Sequence, residues 1–325
     1  MKSDSLPLPY PISVVICTVD RSQSLRKVLN AVSQGRFDFQ ELIVVHGPSI
    51  DETNYVLQEY KHLINRVIDT PSKNVSIARN LGLNAASQEI LVYLDDDVIP
   101  PKDWLDSHLN FYTLQKESCG CVAGPVRDKT KPGAPLQFSR GVNGLLSESK
   151  PILSEDAAKK YLSSSYWFST VMGANASYRR DALSEIGGFD EFFEYFLEET
   201  DICLRLIQSG YKVYYTENAV DHYPAQSHNR EDQKHLTCWY SIAKNTTYFA
   251  LKHAFIKVPF SILVTRLTLL LIYRCLLRIL RLKFTHNLSN AILWQYIKES
   301  IQGVRVGWTA GLALHKVNTS TGRQK

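Results

Sequence analysis

Over the first hundred residues, apolar runs alternate with polar breaks at two different periods. "ISVVICTVDR" is a β-branched run that ends in polar residues and predicts a buried strand. "SQSLRKVLNAVSQ" carries apolar residues at helical spacing (Leu25, Val28, Leu29, Val32), with Ser22 or Ser24 as the N-cap. "FQELIVVHGPS" predicts a second strand closed by a Gly-Pro turn, "DETNYVLQEYKHL" a helix and "INRVIDT" a short strand. "NVSIARNLGLNAAS" predicts a helix and "QEILVYLDDD" a strand. Alternation of strand and helix from Ile12 to Asp97, with uninterrupted apolar strands, predicts a mostly parallel sheet covered on both faces, an α/β fold of nucleotide-binding type. Ligands of such sheets sit beyond the carboxyl ends of the strands. The polar stretches Thr18–Arg21, His46–Ser49 and Asp95–Asp97 all fall there.

Residues 101 to about 165 read as irregular: a helix near Trp104–Leu114, a strand near Cys119–Val126, then a long loop. "YWFSTVMGANASYRR" reads as a strand entering a turn. "RDALSEIGGFDE" predicts a helix ending at Gly187-Gly188, and "LEETDICLRLIQSG" a helix capped by Gly210, followed by the strand "YKVYYTENAVDHY". From Phe255 to Lys283 the chain is strongly apolar, but its charge-free runs are far shorter than the roughly 20 residues of a spanning helix. On a helical wheel Arg266, Arg274, Arg278 and Arg281 fall within a sector of about 120°. Two readings follow: an interfacial helix with arginines at headgroup level, or a helix packed on the protein with its arginines in water.

Charge sharpens the division. The net charge of +5 over 325 residues combines 12 Lys and Arg against the single acid Glu299 in 251–325 with 25 Lys and Arg against 31 acids in 1–250. We therefore expect an acidic body, 1–250, and a basic amphipathic helical tail, 251–325, that meets an anionic membrane surface. No nucleic-acid motif is present. Six scattered cysteines and an N-terminus without a signal-type apolar core predict reduced thiols in the cytoplasm, and with the tail a peripheral position at the inner face of the cell membrane.

Three acids where a buried strand ends repel one another unless a cation joins them. On an extended strand end Asp95 and Asp97 point the same way and share one ligand set, while Asp96 points elsewhere. Such a pair suits Mg²⁺ or Mn²⁺ brought with substrate phosphates; a solvated acidic loop or a helix cap is the alternative. Glu198, Glu199 and Asp201 open a helix, where acids complement the dipole, but a carboxylate pair also suits a general base. His222 ends a strand and comes with Ser227, His228 and Arg230, donors suited to phosphate.

These stretches together resemble family 2 glycosyltransferases of the GT-A fold. "CTVDR" resembles the family's nucleotide loop, and "ELIVVHGPSIDET" its second strand and acidic turn. "NVSIARNLGLNAASQEILVYLDDDVIPPKDWL" resembles the A-R-N helix and D-x-D strand, "GANASYRRDALSEIGGFDE" the acceptor-side segment, and "LEETDICLRLIQSGYKV" the E-D-x-D-L-x-x-R-L motif. The resemblance covers roughly 11–230. It implies inverting transfer of a sugar from a nucleoside diphosphate donor to an acceptor hydroxyl of a sugar or lipid-linked molecule, as in bacterial-type cell-surface polysaccharide or glycolipid synthesis. It assigns Thr18, Asp20, Arg21, Arg79, Asp95 and Asp96 to the nucleotide, and Asp97, Asp95 and His222 to a divalent metal. Glu199 becomes the base, flanked by Glu198 and Asp201, while Trp167, Gly173 and Asn175 border sugar or acceptor. The chain departs from the pattern at His46-Gly47, where the family usually has two acids, one of them contacting the base of the nucleotide. It departs again at Asp20 for Asn and at Glu199 for Asp. A nucleotidyltransferase and a catalytically inactive nucleotide-binding relative are the alternatives.

Overall fold

The computed structural model of the chain describes residues 10–35, 39–115, 117–152, 154–227 and 238–321, so His228 and Arg230 lie outside the described residues. Two compact units result. The first comprises Met1–Arg140, Thr170–Phe189 and Ile202–Ala225; the second comprises Gly141–Ser169, Asp190–Asp201 and Gln226–Lys325.

The first unit is built on a seven-stranded sheet in the order Lys212–Tyr215, Cys119–Ala123, Ala176–Arg179, Ile90–Tyr93, Tyr10–Thr18, Phe39–His46, Arg66–Asp69. All neighbours pair in parallel except Ala176–Arg179, which is antiparallel to both of its partners. The expected mixture of strand and helix is present, and its apolar strands alternate between two cores. Ile12, Val14, Ile16, Leu42 and Val44 pack with Leu25, Val28 and Leu29 of the helix Ser22–Gln34. Val15, Ile43 and Val45 pack with Ala78 and Leu83 of the helix Val75–Ala85. Gly82 of that helix lies directly on Val15, where a β-carbon would collide. Within the sheet Ser13 is in register with Glu41, and its hydroxyl donates to the buried carboxylate at 2.6 Å.

Neither Ser22 nor Ser24 caps the helix Ser22–Gln34. Its first amide, Ser22 N, donates instead to Asp51 Oδ2 at 2.8 Å, while Asp51 Oδ1 accepts from Thr53 N at 3.0 Å at the start of the helix Thr53–Glu59. One side chain in a following loop thus starts two helices, a long-range cap that local sequence does not reveal.

The second unit extends well beyond the expected boundary at residue 250. The stretch read as a long loop forms strands Arg140–Gly144, Ser149–Ile152 and Trp167–Thr170 and a helix Glu155–Leu162; the three strands form a sheet that belongs almost wholly to this unit. Residues 190–201 belong here because the helix Trp239–Ala254 grips them. Lys244 Nζ donates to Phe192 O at 2.9 Å, and Asn245 Nδ2 donates to Tyr195 O at 2.6 Å and Phe196 O at 2.9 Å. The long helix Asn290–Thr321 lies against Trp239–Ala254 at backbone distance. A β-carbon on Gly303 would strike the carbonyl of Tyr240, and one on Gly307 the carbonyl of Lys244.

The predicted tail helix runs Phe260–Leu271, Ile272–Leu277 and Arg278–Thr285, the middle segment being π-helical. Its buried seam is Leu263, Leu267, Cys275 and Ile279. A spacing of four drifts about 40° per step around an α-helix, and the wider π turn takes up that drift. Three of the four arginines also touch the protein, although Arg266, Arg278 and Arg281 stay exposed to solvent. Arg266 pairs with Glu148 at 2.7 Å, and Arg274 donates to Thr246 Oγ1 at 2.9 Å and Ser147 O at 2.8 Å. Arg278 stands over the Trp239 ring.

Candidate active site

The strand partners Thr18, His46 and Asp69 are in register at the carboxyl ends of their strands, and Ile90–Tyr93 ends beside them. Asp95, Asp96 and Asp97 lie past the end of that strand, with Asp96 and Asp97 in a turn. The alternation expected of an extended strand therefore does not apply to these three acids. Instead Asp96 and Asp97 are joined: Arg21 Nη1 donates to Asp96 Oδ1 at 2.6 Å and to Asp97 Oδ2 at 3.1 Å. Thr18 Oγ1 donates to Asp96 Oδ2 at 2.7 Å, and Ala225 N donates to Asp97 Oδ2 at 3.1 Å. Asp95 stands apart, half-exposed, 3.7 Å from the buried Arg79, whose guanidinium also lies over the Tyr93 and Phe189 rings.

Burial pushes the Asp96 carboxyl up to about 6 against the pull of Arg21, and the neighbouring Asp97 charge adds to the rise. Burial acts the same way on Asp97, but the hydrogen bond from His222 and the charge of Arg21 outweigh it and hold this carboxyl below its usual range. Two adjacent acids are thus driven apart in acidity by their partners.

His222 ends the strand Val220–His222, which pairs with Val98–Ile99 on one side and Val126–Asp128 on the other. Its Nε2 lies 3.3 Å from Asp97 Oδ1 and its Nδ1 2.8 Å from Gln137 Oε1. With the Gln137 oxygen accepting from Nδ1, Nε2 meets the Asp97 oxygen either through a proton of its own, as a hydrogen bond, or, without that proton, lone pair to lone pair. Two acceptors facing each other need a proton or a metal cation between them. Asp97 and His222 therefore fit a divalent cation that draws its other oxygens from substrate phosphates. Asp95 does not join them, and among the described residues no three His, Cys, Asp or Glu side chains form a metal-holding group.

Asp20 adopts a left-handed backbone (φ 53) and ties the first loop to the second: its Oδ1 accepts from Ile50 N at 2.7 Å and its own N donates to Ser49 Oγ at 2.9 Å. His46 is buried with Nδ1 3.0 Å from Asp69 Oδ1, and its Nε2 is buried with no hydrogen-bond partner.

Two expected site residues prove structural. Asn175 is fully buried and its amide is saturated: Oδ1 accepts from Trp104 Nε1 at 2.8 Å and pairs with His108 Nε2 at 3.0 Å, and Nδ2 donates to Pro125 O at 3.0 Å and Asn218 O at 3.1 Å. It has no group left for a sugar, and Gly173 is buried in the same 3₁₀ turn. Asp201 is fully buried, with Lys252 Nζ at 2.7 Å and His253 Nε2 at 2.8 Å on its Oδ1, so it is an internal ion cluster rather than a flank of the base.

Within the second unit, Glu198 and Glu199 open the helix Glu198–Gln208 directly after Phe196 (φ 77) and Leu197 (φ 75), two successive left-handed residues other than glycine. Such backbone costs about 1–3 kcal/mol per residue and persists only where surroundings impose it. The Asn245 amide on the two preceding carbonyls and the Arg274 guanidinium over the Phe196 ring are those surroundings. Trp167 sits edge-on to Tyr161 and Tyr166 in this unit. Gln137, Asn245 and Lys252 carry no sequence signal, because each acts through partners 49 or more positions away.

Known proteins resemble this chain in sequence and in fold. A glucosyl-dolichyl phosphate glucuronosyltransferase of Haloferax volcanii is 23% identical over 219 residues, 64% of this chain and 67% of the relative. The O-antigen chain rhamnosyltransferase RfbN of Salmonella typhimurium is 27% identical over 212 residues, 64% of this chain and 65% of the relative. The structure of S. aureus TarS 1-349 in complex with UDP-GlcNAc superposes with a TM-score of 0.55 at 16% identity, covering 91% of this chain and 82% of TarS. The architecture, a large mostly parallel sheet with a C-terminal helical region, is that of GT-A glycosyltransferases. The model of Glycosyl transferase family 2 matches residues 13–187, more than half of the sequence, and the chain belongs to that family of glycosyltransferases.

Proposed function

We propose that the enzyme transfers a sugar from a nucleoside diphosphate donor to a hydroxyl of a growing polysaccharide or glycolipid, with inversion at the anomeric carbon. The observation that carries this reading is the junction of Arg21, Asp96, Asp97 and His222 at the carboxyl edge of the sheet, where a parallel α/β fold receives its ligand. The acceptor class follows from relatives named for a dolichyl phosphate glycoside and an O-antigen chain.

Asp97 and His222 would hold Mg²⁺ or Mn²⁺, which would neutralise the leaving diphosphate. Thr18 and Arg21 fix Asp96 and Asp97, and Asp20 fixes the loop beside them. Glu199 takes the proton of the acceptor hydroxyl, that oxygen bonds to the anomeric carbon, and the bond to the diphosphate oxygen breaks with its electron pair leaving on phosphate. The strained turn before Glu198 holds the start of the base's helix in one position.

The test is transfer from a panel of nucleotide sugars, with and without Mn²⁺, by wild type, Asp97→Asn and Glu199→Gln. We expect metal-dependent transfer by wild type only, nucleotide binding retained by Glu199→Gln, and inverted product by NMR. Undiminished turnover in Glu199→Gln would remove the base assignment, and retained configuration would remove the single displacement.

A further inference from the structure

The helical stretch Phe260–Thr285 is turned the opposite way from an ordinary amphipathic helix. Arg266, Arg274 and Arg278 reach protein partners, while many of its apolar residues face out. Eight of the twenty exposed large apolar side chains among the described residues lie on it, including Leu269, Tyr273, Leu277 and Phe284. Only 17% of its most apolar 18-residue window is buried. Arg266 on Glu148, Arg274 on Ser147 and Thr246, and the seam from Leu263 to Ile279 hold it in that rotation. An apolar patch of this extent marks a contact surface.

Charge selects the occupant. From residue 251 onward the sequence has 12 Lys and Arg and one acid, and Lys257, Arg281, Lys298 and Arg305 are exposed. A second copy of the chain would bring like charge against like. A spanning pose would strip the seam from the protein it packs on and place four arginines and Lys283 in hydrocarbon. We infer that the outward face of Phe260–Thr285 lies in the plane of an anionic membrane, its apolar side chains among the acyl chains near the headgroups and the neighbouring lysines and arginines on lipid phosphates. Arg266 and Arg274 tie this helix to the protein, and the exposed Arg281 is left for the headgroups.

The full chain is floated with vesicles of phosphatidylcholine alone or with one quarter phosphatidylglycerol. Wild type is expected to float with the anionic vesicles and roughly tenfold less with the neutral ones or in high salt. Leu269→Glu with Leu277→Glu is expected to lose flotation roughly tenfold while donor hydrolysis in detergent is unchanged. If that pair lowers the melting temperature, Tyr273→Ser with Phe284→Ser replaces it, with a smaller loss expected. Failure of wild type to float, flotation untouched by both pairs, or resistance to alkaline carbonate extraction would overturn the inference. So would a dimer in light scattering that the variants split without vesicle binding. Flotation without transfer would leave this surface standing and remove the proposed reaction alone.

Discussion

Arg21 places one guanidinium nitrogen 2.6 Å from Asp96 and 3.1 Å from Asp97. Both carboxylates are buried, so this cation offsets charge that burial penalises on both of them. Arg21→Ala leaves that charge without its partner, a loss of about 3–5 kcal/mol. The melting temperature should fall, and millimolar Mn²⁺ should raise it more in the variant than in wild type. An equal response of both proteins would show that the cation does not act at these acids.

The Ser13–Glu41 pair governs acid stability. Burial alone would raise the Glu41 carboxyl, but the hydrogen bonds from Ser13 and Ser87 outweigh it and hold it below its usual range. The unfolded chain then binds a proton here that the folded chain does not, so this stabilisation is full above the unfolded value and is lost as pH falls through the folded one. Glu41→Gln should cost about 1–3 kcal/mol in urea unfolding at neutral pH. The gap to wild type should close below about pH 4.

Asn245 imposes the left-handed turn before Glu198. Asn245→Ala should lower kcat by roughly tenfold through misplacement of Glu199, with the donor KM unchanged. Leu197→Gly added to that variant should recover part of the rate, since glycine takes a positive φ without strain. A purely structural loss would change both constants and would not be recovered.

His46 stands where the family usually has acids, and its buried Nε2 has no partner. With Nδ1 on Asp69, that nitrogen can accept from an N–H of a base. His46→Ala should compress the differences among UDP, GDP, CDP and dTDP as competitive inhibitors to within roughly threefold, while leaving the metal requirement intact. Unchanged discrimination would place base reading elsewhere.

The strands were legible because Ile12–Ile16, Leu42–Val45 and Ile90–Tyr93 are continuous apolar runs, and their polar ends marked the ligand edge. The pairing of the three acids was not, because it depends on where the strand stops: the chain leaves it at Tyr93, and the turn that follows joins Asp96 to Asp97. Asn175 and Asp201 misled because a motif records residue type and not saturation. Trp104 and His108 lie some seventy positions before Asn175, and Lys252 and His253 some fifty after Asp201. The arginine stripe was visible on a helical wheel, but the side of the helix that meets protein was not, since Glu148 and Ser147 sit in a stretch read as loop.

Gly307 rests on the carbonyl of Lys244, whose ammonium holds Phe192 and whose neighbour Asn245 holds Tyr195 and Phe196. The last helix is therefore a splint for the turn that carries Glu199. A single methyl group added at Gly307, or a stop codon just ahead of it, would be scored in a genetic screen as a catalytic null, though no reacting group lies anywhere near it in the sequence.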